Sequence, residues 1–422
     1  MEVPKANRPD SGLDPGGEIR RILLVDCDMF YVQVARLEDP TNSGPDELLI
    51  VGGSPTGRGV VTSASYGVRE YGVRSGMPTA QALKLCPLAK VIPVSRSACA
   101  ARSKRVKEVL HELSPVVQAA SIDEFYLDLS GTERLFHGES LDTSARRIRQ
   151  EVLKRTEISV SIGGGTRKLI AKMAAGQAKP AGVLVVSPGR EKQFMKGFKL
   201  REIPGVGPAF AEALEKKGLV EVGDVLPIDI SWLEKWLGPG KAQWLWERVR
   251  GIDLSSVVPG ESRKSISSER TFGSDLTEDQ TLEKELLRLT GSIGNTLRRK
   301  QLQGRTITVK IRDHDFRTRQ SSLTLSEPVE SDATIFSVAR DLFQGLRKKR
   351  RVGVRLLGVG ISSLAEAHGL PQLELFAGEA QAEPERDRVV SRVLDDLRGR
   401  FGDRAILPGL MFEDPGEDSG TN

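Results

Sequence analysis

Two short acidic segments, each inside an otherwise apolar run, constrain this chain more than any other feature. They are LLVDCDMFY at 23–31 and SIDEFYLDL at 121–129. A carboxylate at the end of a buried strand is costly unless positive charge neutralises it, and carboxylates that meet from two strands repel one another. One or two Mg²⁺ ions resolve this most cheaply, because Mg²⁺ prefers oxygen ligands and keeps positions open for phosphates. Taken singly, either segment is better interpreted as surface acids beside an unrelated strand.

Charge is distributed unevenly along the chain. The 422 residues predict two to four domains, and the formal net charge is +5 with a pI of about 9.0. Residues 262–368 contain 20 Lys and Arg against 13 Asp and Glu, whereas residues 377–422 contain 6 against 11. A basic module followed by an acidic tail indicates a nucleic-acid surface with a solvated or partner-binding extension.

The cysteines and the N-terminus indicate an intracellular protein. Cys27, Cys86 and Cys99 have neither zinc spacing nor a disulfide pattern, which is typical of a reducing compartment. Residues 1–18 are polar and rich in Pro and Gly, and they lack the apolar core of a signal peptide. We therefore expect a disordered lead-in at 1–18, no membrane segment and a cytoplasmic location.

The first half alternates strands with helices, and the basic module has its own order. Helices are predicted at 96–113, 141–156 and 166–177, and strands at 19–27, 116–120, 125–129, 158–164 and 183–187. This alternation predicts an α/β sheet covered by helices. Residues 188–250 are mostly helical. The module reads strand, helix, strand, strand, helix, strand, which is the ferredoxin-like order, at 264–272, 281–302, 305–312, 319–325, 332–349 and 352–363.

The two acidic segments, in this order and at this separation, resemble the Y-family translesion DNA polymerases and are most similar to the bacterial DNA polymerase IV (DinB) branch. The similarity covers roughly residues 20–412. It implies an α/β (α+β) multidomain right hand. The implied parts are a palm (19–29 and 96–186), fingers (30–95), a thumb with a helix-hairpin-helix (187–251), a linker (252–262), a ferredoxin-like little finger (263–368) and a C-terminal tail (369–422).

The resemblance implies a template-directed, low-fidelity DNA polymerase with two Mg²⁺ ions in its active site. Asp26, Asp123 and Glu124 match the acids that hold both metals, and the backbone carbonyl of Cys27 contributes. The pattern alone does not choose between Asp26 and Asp28, because both point to one strand face. The family comparison chooses Asp26 and leaves Asp28 as an acid behind the metal ligands or a solvated one.

The resemblance also assigns nucleotide contacts. Tyr31 matches the steric gate that excludes a 2′-OH by clash, although a core aromatic is the commoner fate of such a residue. The implied contacts with the incoming dNTP are Ser63, Tyr66, Arg69 and Lys179. For Arg69 the alternative is a solvated helix charge. The chain departs from its relatives at Gly164, Gly165 and Arg167, so a glycine-rich turn followed by the surface lysines Lys168 and Lys172 stays open.

Further matches concern DNA and a protein partner. Gly205, Val206 and Gly207 form the hairpin of the helix-hairpin-helix, whose N–H groups bind a DNA phosphate. The little-finger residues implied to grip primer–template are Arg263, Lys264, Arg270, Lys310, Arg312, Arg317 and Arg319. QLELF resembles the peptide that binds the sliding clamp, through Gln372, Leu373, Leu375 and Phe376, and a helix is expected near 385–401. The four tryptophans are expected in the thumb core, and the protein is expected to be monomeric.

Three other hypotheses stay open at this point. A relative without catalysis would bind DNA or repair partners only, but such relatives lose the acidic triad that this chain retains. A nucleotidyl cyclase shares the palm, but the hairpin and the basic module favour polymeric DNA. A UmuC-type polymerase is disfavoured by the sequence VDCDMFY at 25–31.

Overall fold

The computed structural model describes residues 19–45, 47–135, 138–260, 262–367, 383–402, 405–406 and 409. The described chain divides into two compact units between residues 261 and 262. That boundary falls in the segment 252–262 for which the sequence predicts a linker. The predicted lead-in at 1–18 and the predicted clamp peptide at 372–376 lie outside the described residues.

The first unit is a mixed α/β structure. Its strands are β1 (Ile22–Cys27), β2 (Leu49–Gly52), β3 (Val61–Ala64), β4 (Lys90–Ile92), β5 (Val116–Ala119), β6 (Glu124–Asp128), β7 (Val160–Gly165) and β8 (Val183–Val185). Its helices are α1 (Phe30–Glu38), α2 (Tyr66–Glu70), α3 (Thr79–Leu85), α4 (Arg96–Leu113), α5 (Leu141–Thr156), α6 (Lys168–Ala178), α7 (Glu191–Met195), α8 (Pro208–Glu215), α9 (Val222–Val225), α10 (Ile230–Leu237) and α11 (Pro239–Val249), with a 3₁₀ turn at Leu200–Glu202.

Strand β1 lies at the centre of a five-stranded sheet. The strand order is β5-β6-β1-β7-β8, with β1 antiparallel to both β6 and β7 and with β7 parallel to β8. All six residues of β1 are buried, as its continuous apolar run predicts. The sheet therefore places the end of β1 between two neighbouring strands, where its polar residues meet theirs.

The two faces of this sheet bury different sets of β1 residues. Leu23 and Val25 pack into a cluster with apolar residues of α4 and α5, whereas Ile22 and Leu24 pack against Ala171 and Ala175 of α6. Successive residues of a strand point to opposite faces, so Asp26 continues the α6 row. The side chain of Asp26 therefore emerges on the face that α6 covers.

Glycine in β7 lets α6 lie directly on the sheet. A Cβ placed on Gly163 would stand 2.1 Å from the carbonyl oxygen of Ala171 and 2.1 Å from the amide nitrogen of Ala175. Both are backbone atoms, so no side-chain movement can relieve that contact. The glycines that depart from the family pattern thus belong to a buried strand and not to an exposed turn, and Gly163 sets the spacing between α6 and β7.

Two smaller regions complete the first unit. Strands β3, β2 and β4 form a three-stranded sheet, with β2 antiparallel to β3 and parallel to β4. Helices α8 to α11 pack with α6 and α7 around a separate apolar cluster that includes Leu214, Leu233 and Leu245. These regions correspond to the segments predicted as fingers and thumb.

The second unit has the predicted strand–helix order. Its elements are β9 (Ser265–Leu276), α12 (Asp279–Arg299), β10 (Leu302–Asp313), β11 (Thr318–Val329), α13 (Asp332–Lys349), β12 (Val354–Glu366) and α14 (Glu385–Phe401). The antiparallel sheet has the order β11-β10-β12-β9. The predicted mixed α/β fold class is confirmed. The predicted helix at 281–302 ends earlier, at Arg299, because Gln301 adopts a left-handed φ of 54° and β10 begins at Leu302.

Buried ion pairs fix α14 to the helical layer of the second unit. The guanidinium of Arg298 on α12 donates 2.6 Å to Asp395 of α14 and 2.9 Å to Asp332 of α13. Just before α14, the carboxylate of Glu383 accepts the N–H groups of Glu330 and Ser331. The segment after the last strand therefore returns to the folded unit.

Replacing Gly163 by alanine is expected to destabilise the first unit. The new methyl group would overlap the α6 backbone, and overpacking of this kind costs about 1–3 kcal/mol. Thermal unfolding followed by circular dichroism should show a lower melting temperature for Gly163→Ala. The matched control is Gly176→Ala on α6, where an added Cβ would meet no atom within 4 Å. This control should be neutral or stabilising by about 0.4–1 kcal/mol, and equal losses in both variants would contradict the packing argument.

Candidate active site

The predicted acidic triad comes together at the junction of β1 and β6. Asp26 is the direct cross-strand partner of Glu124, and the amide of Cys27 donates 2.9 Å to the carbonyl oxygen of Asp123. Directly opposed residues of antiparallel strands have Cβ atoms about 4.5–5.5 Å apart. Acids separated by almost 100 positions in the chain are therefore neighbours, and they sit at the end of a buried strand as the sequence predicts.

Two lysines of the α6 segment neutralise these acids. The Nζ of Lys179, the residue after α6, lies 2.7 Å from an Oδ of Asp26. Lys172, two helical turns earlier, forms an ion pair with Glu124. Asp123 instead accepts a hydrogen bond of 2.5 Å from the hydroxyl of Ser121. Each carboxylate thus has its own partner in this arrangement.

With these partners engaged, the side chains do not form a ready-made coordination sphere. Within the ranges that the structure describes, no group of three or more His, Cys, Asp or Glu side chains is placed to hold a metal ion. The donor set nevertheless fits Mg²⁺, which takes carboxylate and carbonyl oxygens. The three carboxylates stand on neighbouring positions of two paired strands, so cations could take the place of their present lysine and serine partners.

The pKa values at this junction follow from burial. Desolvation raises the pKa of Asp26, which is 7% exposed, and Lys179 opposes that rise while Glu124 adds to it. Burial also raises the pKa of the Cys27 thiol well above its usual value. The predicted contribution of Cys27 to metal binding concerns its backbone carbonyl and not this thiol, and it stays a prediction.

Tyr31 follows the acids on the first turn of α1. Its ring stands edge-on to Phe30 with centroids 5.7 Å apart, and it borders two apolar clusters without being fully buried. Desolvation raises the pKa of its hydroxyl. The ring packs against the core on one side and is open on the other, so its assignment as a steric gate stays a prediction beside the alternative of a core aromatic.

The predicted nucleotide contacts of the fingers cluster around α2. The Arg69 guanidinium lies 5.1 Å from the centre of the Tyr66 ring and donates 2.9 Å to the carbonyl oxygen of Ala64. Ser63 is buried in β3. Arg69 is exposed on α2 and contacts an aromatic face and a carbonyl, so both the predicted dNTP contact and the alternative of a solvated helix charge stay open.

Sequence reasoning left alternatives open for two residues of this site, Asp28 and Lys172. Asp28 is not a solvated acid: it is 2% exposed and accepts hydrogen bonds from four donors. Lys172 is not a loose surface lysine, because it pairs with Glu124. Spacing offered one signal for Lys172, since it precedes Lys179 by seven residues and so shares its helix face. Lys168, by contrast, donates to Gln118 and lies over the Tyr126 ring, away from the acids.

The helix-hairpin-helix signal corresponds to a tight turn before α8. Gly205 has a φ of +102°, Val206 donates to the carbonyl oxygen of Ile203, and Gly207 caps α8. The tryptophan prediction is only partly right. Trp244 and Trp246 border the thumb cluster, but Trp232 and Trp236 are 53% and 40% exposed on α10. Their exposure follows from their position on the outer face of α10, which buries only Leu233.

The predicted DNA-contacting residues of the second unit fall into two groups. Arg263, Lys264 and Arg317 are exposed. The others have internal partners: Arg319 donates to Asp313, Lys310 pairs with Glu269, Arg270 pairs with Glu285, and Arg312 donates to the hydroxyl of Thr318. Arg319, whose side chain is 13% exposed, also donates to the carbonyl oxygen of Leu346, so its placement favours a structural role.

The hydropathy of the described helices bears on membrane association. Over the ranges given above, none of them combines the length and the apolar character that spanning a bilayer requires.

Comparison with known proteins identifies relatives over nearly the whole chain. Residues 25–176 match the impB/mucB/samB family, residues 263–375 match the C-terminal domain of that family, and residues 201–253 match a domain described as the DNA polymerase-iota thumb. The first match covers most of the five-stranded sheet, the second lies within the second unit, and the third covers the hairpin and helices α8 to α11.

Full-length relatives and a solved structure agree with these matches. DNA polymerase IV of Caulobacter vibrioides is 36% identical over 393 residues, which cover 93% of this chain and 94% of that protein. DNA polymerase IV of Dehalococcoides mccartyi (strain BAV1) is 35% identical, with coverage of 93% and 98%. A solved Y-family DNA polymerase chimera aligns with a TM-score of 0.72 and 27% identity over 82% of this chain. The chain therefore belongs to the Y family of DNA polymerases, on the DNA polymerase IV branch that its acidic segments predict.

Proposed function

We propose that this chain adds deoxynucleotides to a primer 3′-OH on a DNA template, with Asp26, Asp123 and Glu124 binding two Mg²⁺ ions. The observation that carries the proposal is the pairing of Asp26 with Glu124 across β1 and β6, one residue from Asp123. The low fidelity of translesion synthesis belongs to the same family assignment. The two cations supply the charge that activates the primer oxygen and stabilises the leaving pyrophosphate.

The other side chains around the acids bind and orient the nucleotide. Lys179 and Arg69 bind phosphate oxygens of the dNTP, an ammonium as a point charge and a guanidinium as a planar fork. Tyr31 lies under the sugar and excludes a 2′-OH. Ser63 and Tyr66 line the nucleotide side of the fingers, and the Cys27 carbonyl faces the cations. Each residue acts by placing charge or bulk where the substrate passes.

DNA is held by contacts that do not read sequence. The hairpin at Gly205, Val206 and Gly207 offers a phosphate backbone N–H groups other than that of Val206, which bonds to Ile203, and Arg263, Lys264 and Arg317 offer exposed positive charge. Lys310 and Arg312 on the open face of β10 join them after exchanging their present partners for phosphate. Phosphate contacts release counterions, so affinity for primer–template falls steeply with salt. Monomeric state and cytoplasmic location stay predictions.

Removing either acid of the β6 pair is expected to abolish primer extension. Asp123→Ala and Glu124→Ala each delete a carboxylate from the cation-binding set, which contributes several kcal/mol to transition-state stabilisation, a loss of roughly a thousandfold or more in rate. Extension of a labelled primer with Mg²⁺ measures this, and an anisotropy titration should give an almost unchanged Kd for duplex DNA. Asp142→Ala, an exposed acid paired with Arg146 on α5, is the control. Retained extension in either variant would refute the proposed site.

Shortening the gate residue is expected to admit ribonucleotides. Tyr31→Ala opens space beneath the sugar, so the ratio of ribonucleotide to deoxyribonucleotide insertion should rise by at least about tenfold, the effect of removing one steric clash. Single-nucleotide insertion kinetics with each triphosphate measure this ratio. The matched control is Tyr71→Ala, because Tyr71 is 52% exposed. An unchanged ratio in Tyr31→Ala would remove the gate assignment.

The predicted clamp peptide is tested by its apolar anchors. A chain carrying Leu373→Ala, Leu375→Ala and Phe376→Ala should lose stimulation by the sliding clamp, because these side chains are the ones expected to enter an apolar groove. Primer extension with and without the clamp gives the two rates, and Glu374→Ala is the control. An equal loss of synthesis without the clamp would mean that the segment is structural.

A further inference from the structure

The four donors to Asp28 come from three separate parts of the chain. The Tyr66 hydroxyl of α2 and the Ser161 hydroxyl of β7 donate to Oδ1, at 3.0 and 2.7 Å. The Ser159 hydroxyl and the amide of Ala181 donate to Oδ2, at 2.9 and 3.0 Å. A buried carboxylate with both oxygens doubly satisfied is rigidly placed.

The backbone around Asp28 is fixed as well. Its amide donates 3.0 Å to the carbonyl oxygen of Ser159, and its carbonyl accepts from the Gln33 side chain, whose own oxygen accepts the Ser159 amide at 2.7 Å. The position of Asp28 is therefore fixed by its backbone as well as by the four donors to its carboxylate.

One of these hydrogen bonds connects Asp28 to the segment that follows Lys179, the lysine that pairs with Asp26. Ala181 lies two residues after Lys179 and has a φ of +52°, a left-handed conformation that is uncommon outside glycine. Its amide donates to Asp28. The hydrogen bond therefore stabilises the left-handed turn that follows Lys179, so Lys179 lies between α6 on one side and an anchored turn on the other.

Another of these hydrogen bonds connects Asp28, through Tyr66, to Arg69 in the predicted fingers. Asp28 holds the hydroxyl of Tyr66, and the ring of Tyr66 supports the Arg69 guanidinium at 5.1 Å. A phenol has a single proton. With that proton donated to Asp28, Tyr66 has none left for a phosphate, so its contribution is the position of its ring and of the cation above it.

On these grounds, and resting on the proposed polymerase function, we propose that Asp28 is a positioning residue for dNTP binding. It holds both cationic triphosphate contacts in place, Lys179 through Ala181 and Arg69 through Tyr66. It does not touch the reacting atoms and it is not one of the proposed metal ligands. Its loss should weaken nucleotide binding while the grip on DNA stays intact.

Single-nucleotide insertion kinetics measure how strongly dNTP binding depends on the Asp28 carboxylate and how strongly on its hydrogen bond with Tyr66. Asp28→Ala should raise KM for the dNTP by roughly ten- to hundredfold, since two hydrogen-bonded ties are lost. Tyr66→Phe removes one tie and should raise KM by about three- to tenfold. The double variant should be no worse than Asp28→Ala, because the deleted hydroxyl acts only through the carboxylate. The Kd for primer–template should stay within about twofold in all three, since no phosphate contact to DNA changes.

The conservative variant tests whether geometry is what matters. In Asp28→Asn the amide oxygen can accept from Ala181 and Ser159, while the amide nitrogen donates to the hydroxyls of Tyr66 and Ser161, which can rotate to accept. KM should then stay within about threefold of the parent. A second pair of variants leaves Asp28 in place. Ser161→Ala should raise KM, whereas Ser144→Ala, which removes a buried hydroxyl of α5, should not.

The outcomes distinguish this proposal from the function on which it rests. If the parent protein inserts no nucleotide, the polymerase proposal fails. If the parent is active and Asp28→Ala keeps its KM, or loses kcat, DNA affinity and melting temperature together without a selective change in KM, the positioning role is overturned. Independent, multiplying effects of Asp28→Ala and Tyr66→Phe would also overturn it. Should Asp28→Ala fail to fold, unchanged KM in both Tyr66→Phe and Ser161→Ala overturns the proposal.

Discussion

The catalytic half of this protein depends on how negative charge on two adjacent strands is balanced. Asp26 and Glu124 face each other across β1 and β6, a like-charge pair that destabilises a sheet. Helix α6 supplies Lys172, and Lys179 follows directly after its last residue. They reach the acids because α6 lies directly on β7, a spacing that Gly163 permits. Gly163 therefore affects the charge balance of the site, because it lets α6 lie close enough for the lysines to reach the acids.

Much of this architecture is predictable from local pattern. The buried strand before Asp26, the helices at 96–113 and 141–156 and the β-α-β-β-α-β order of the second unit all follow from apolar periodicity, and the structure contains them. The role of Asp28 does not follow. Its donors Ser159, Ser161 and Ala181 lie more than 130 positions away in the chain, so no local pattern distinguishes it from a solvated acid. Only the sheet order brings them to it.

The basic character of the second unit shows the same limit. Composition counts charges but not their partners, and Asp313 illustrates the difference. This acid has no exposed side-chain surface and is held by Arg319 and Arg350. A buried acid strongly requires its counter-ions, because breaking such a pair costs about 3–5 kcal/mol. Arginines engaged in this way stabilise the fold and are poorly available to DNA. The positive charge available to a duplex is therefore smaller than the number of Lys and Arg residues suggests, and among the predicted DNA contacts Arg263, Lys264 and Arg317 are exposed.

The return of the chain at Glu383 changes what a partner of the preceding segment must accommodate. Strand β12 fixes the chain up to Glu366, and Glu383 fixes it again through the N–H groups of Glu330 and Ser331 and an ion pair with Arg388. The Glu383 side chain is fully buried, so releasing it would leave the N–H groups of Glu330 and Ser331 without their acceptor. A protein that binds residues 372–376 therefore meets a segment tethered on both sides.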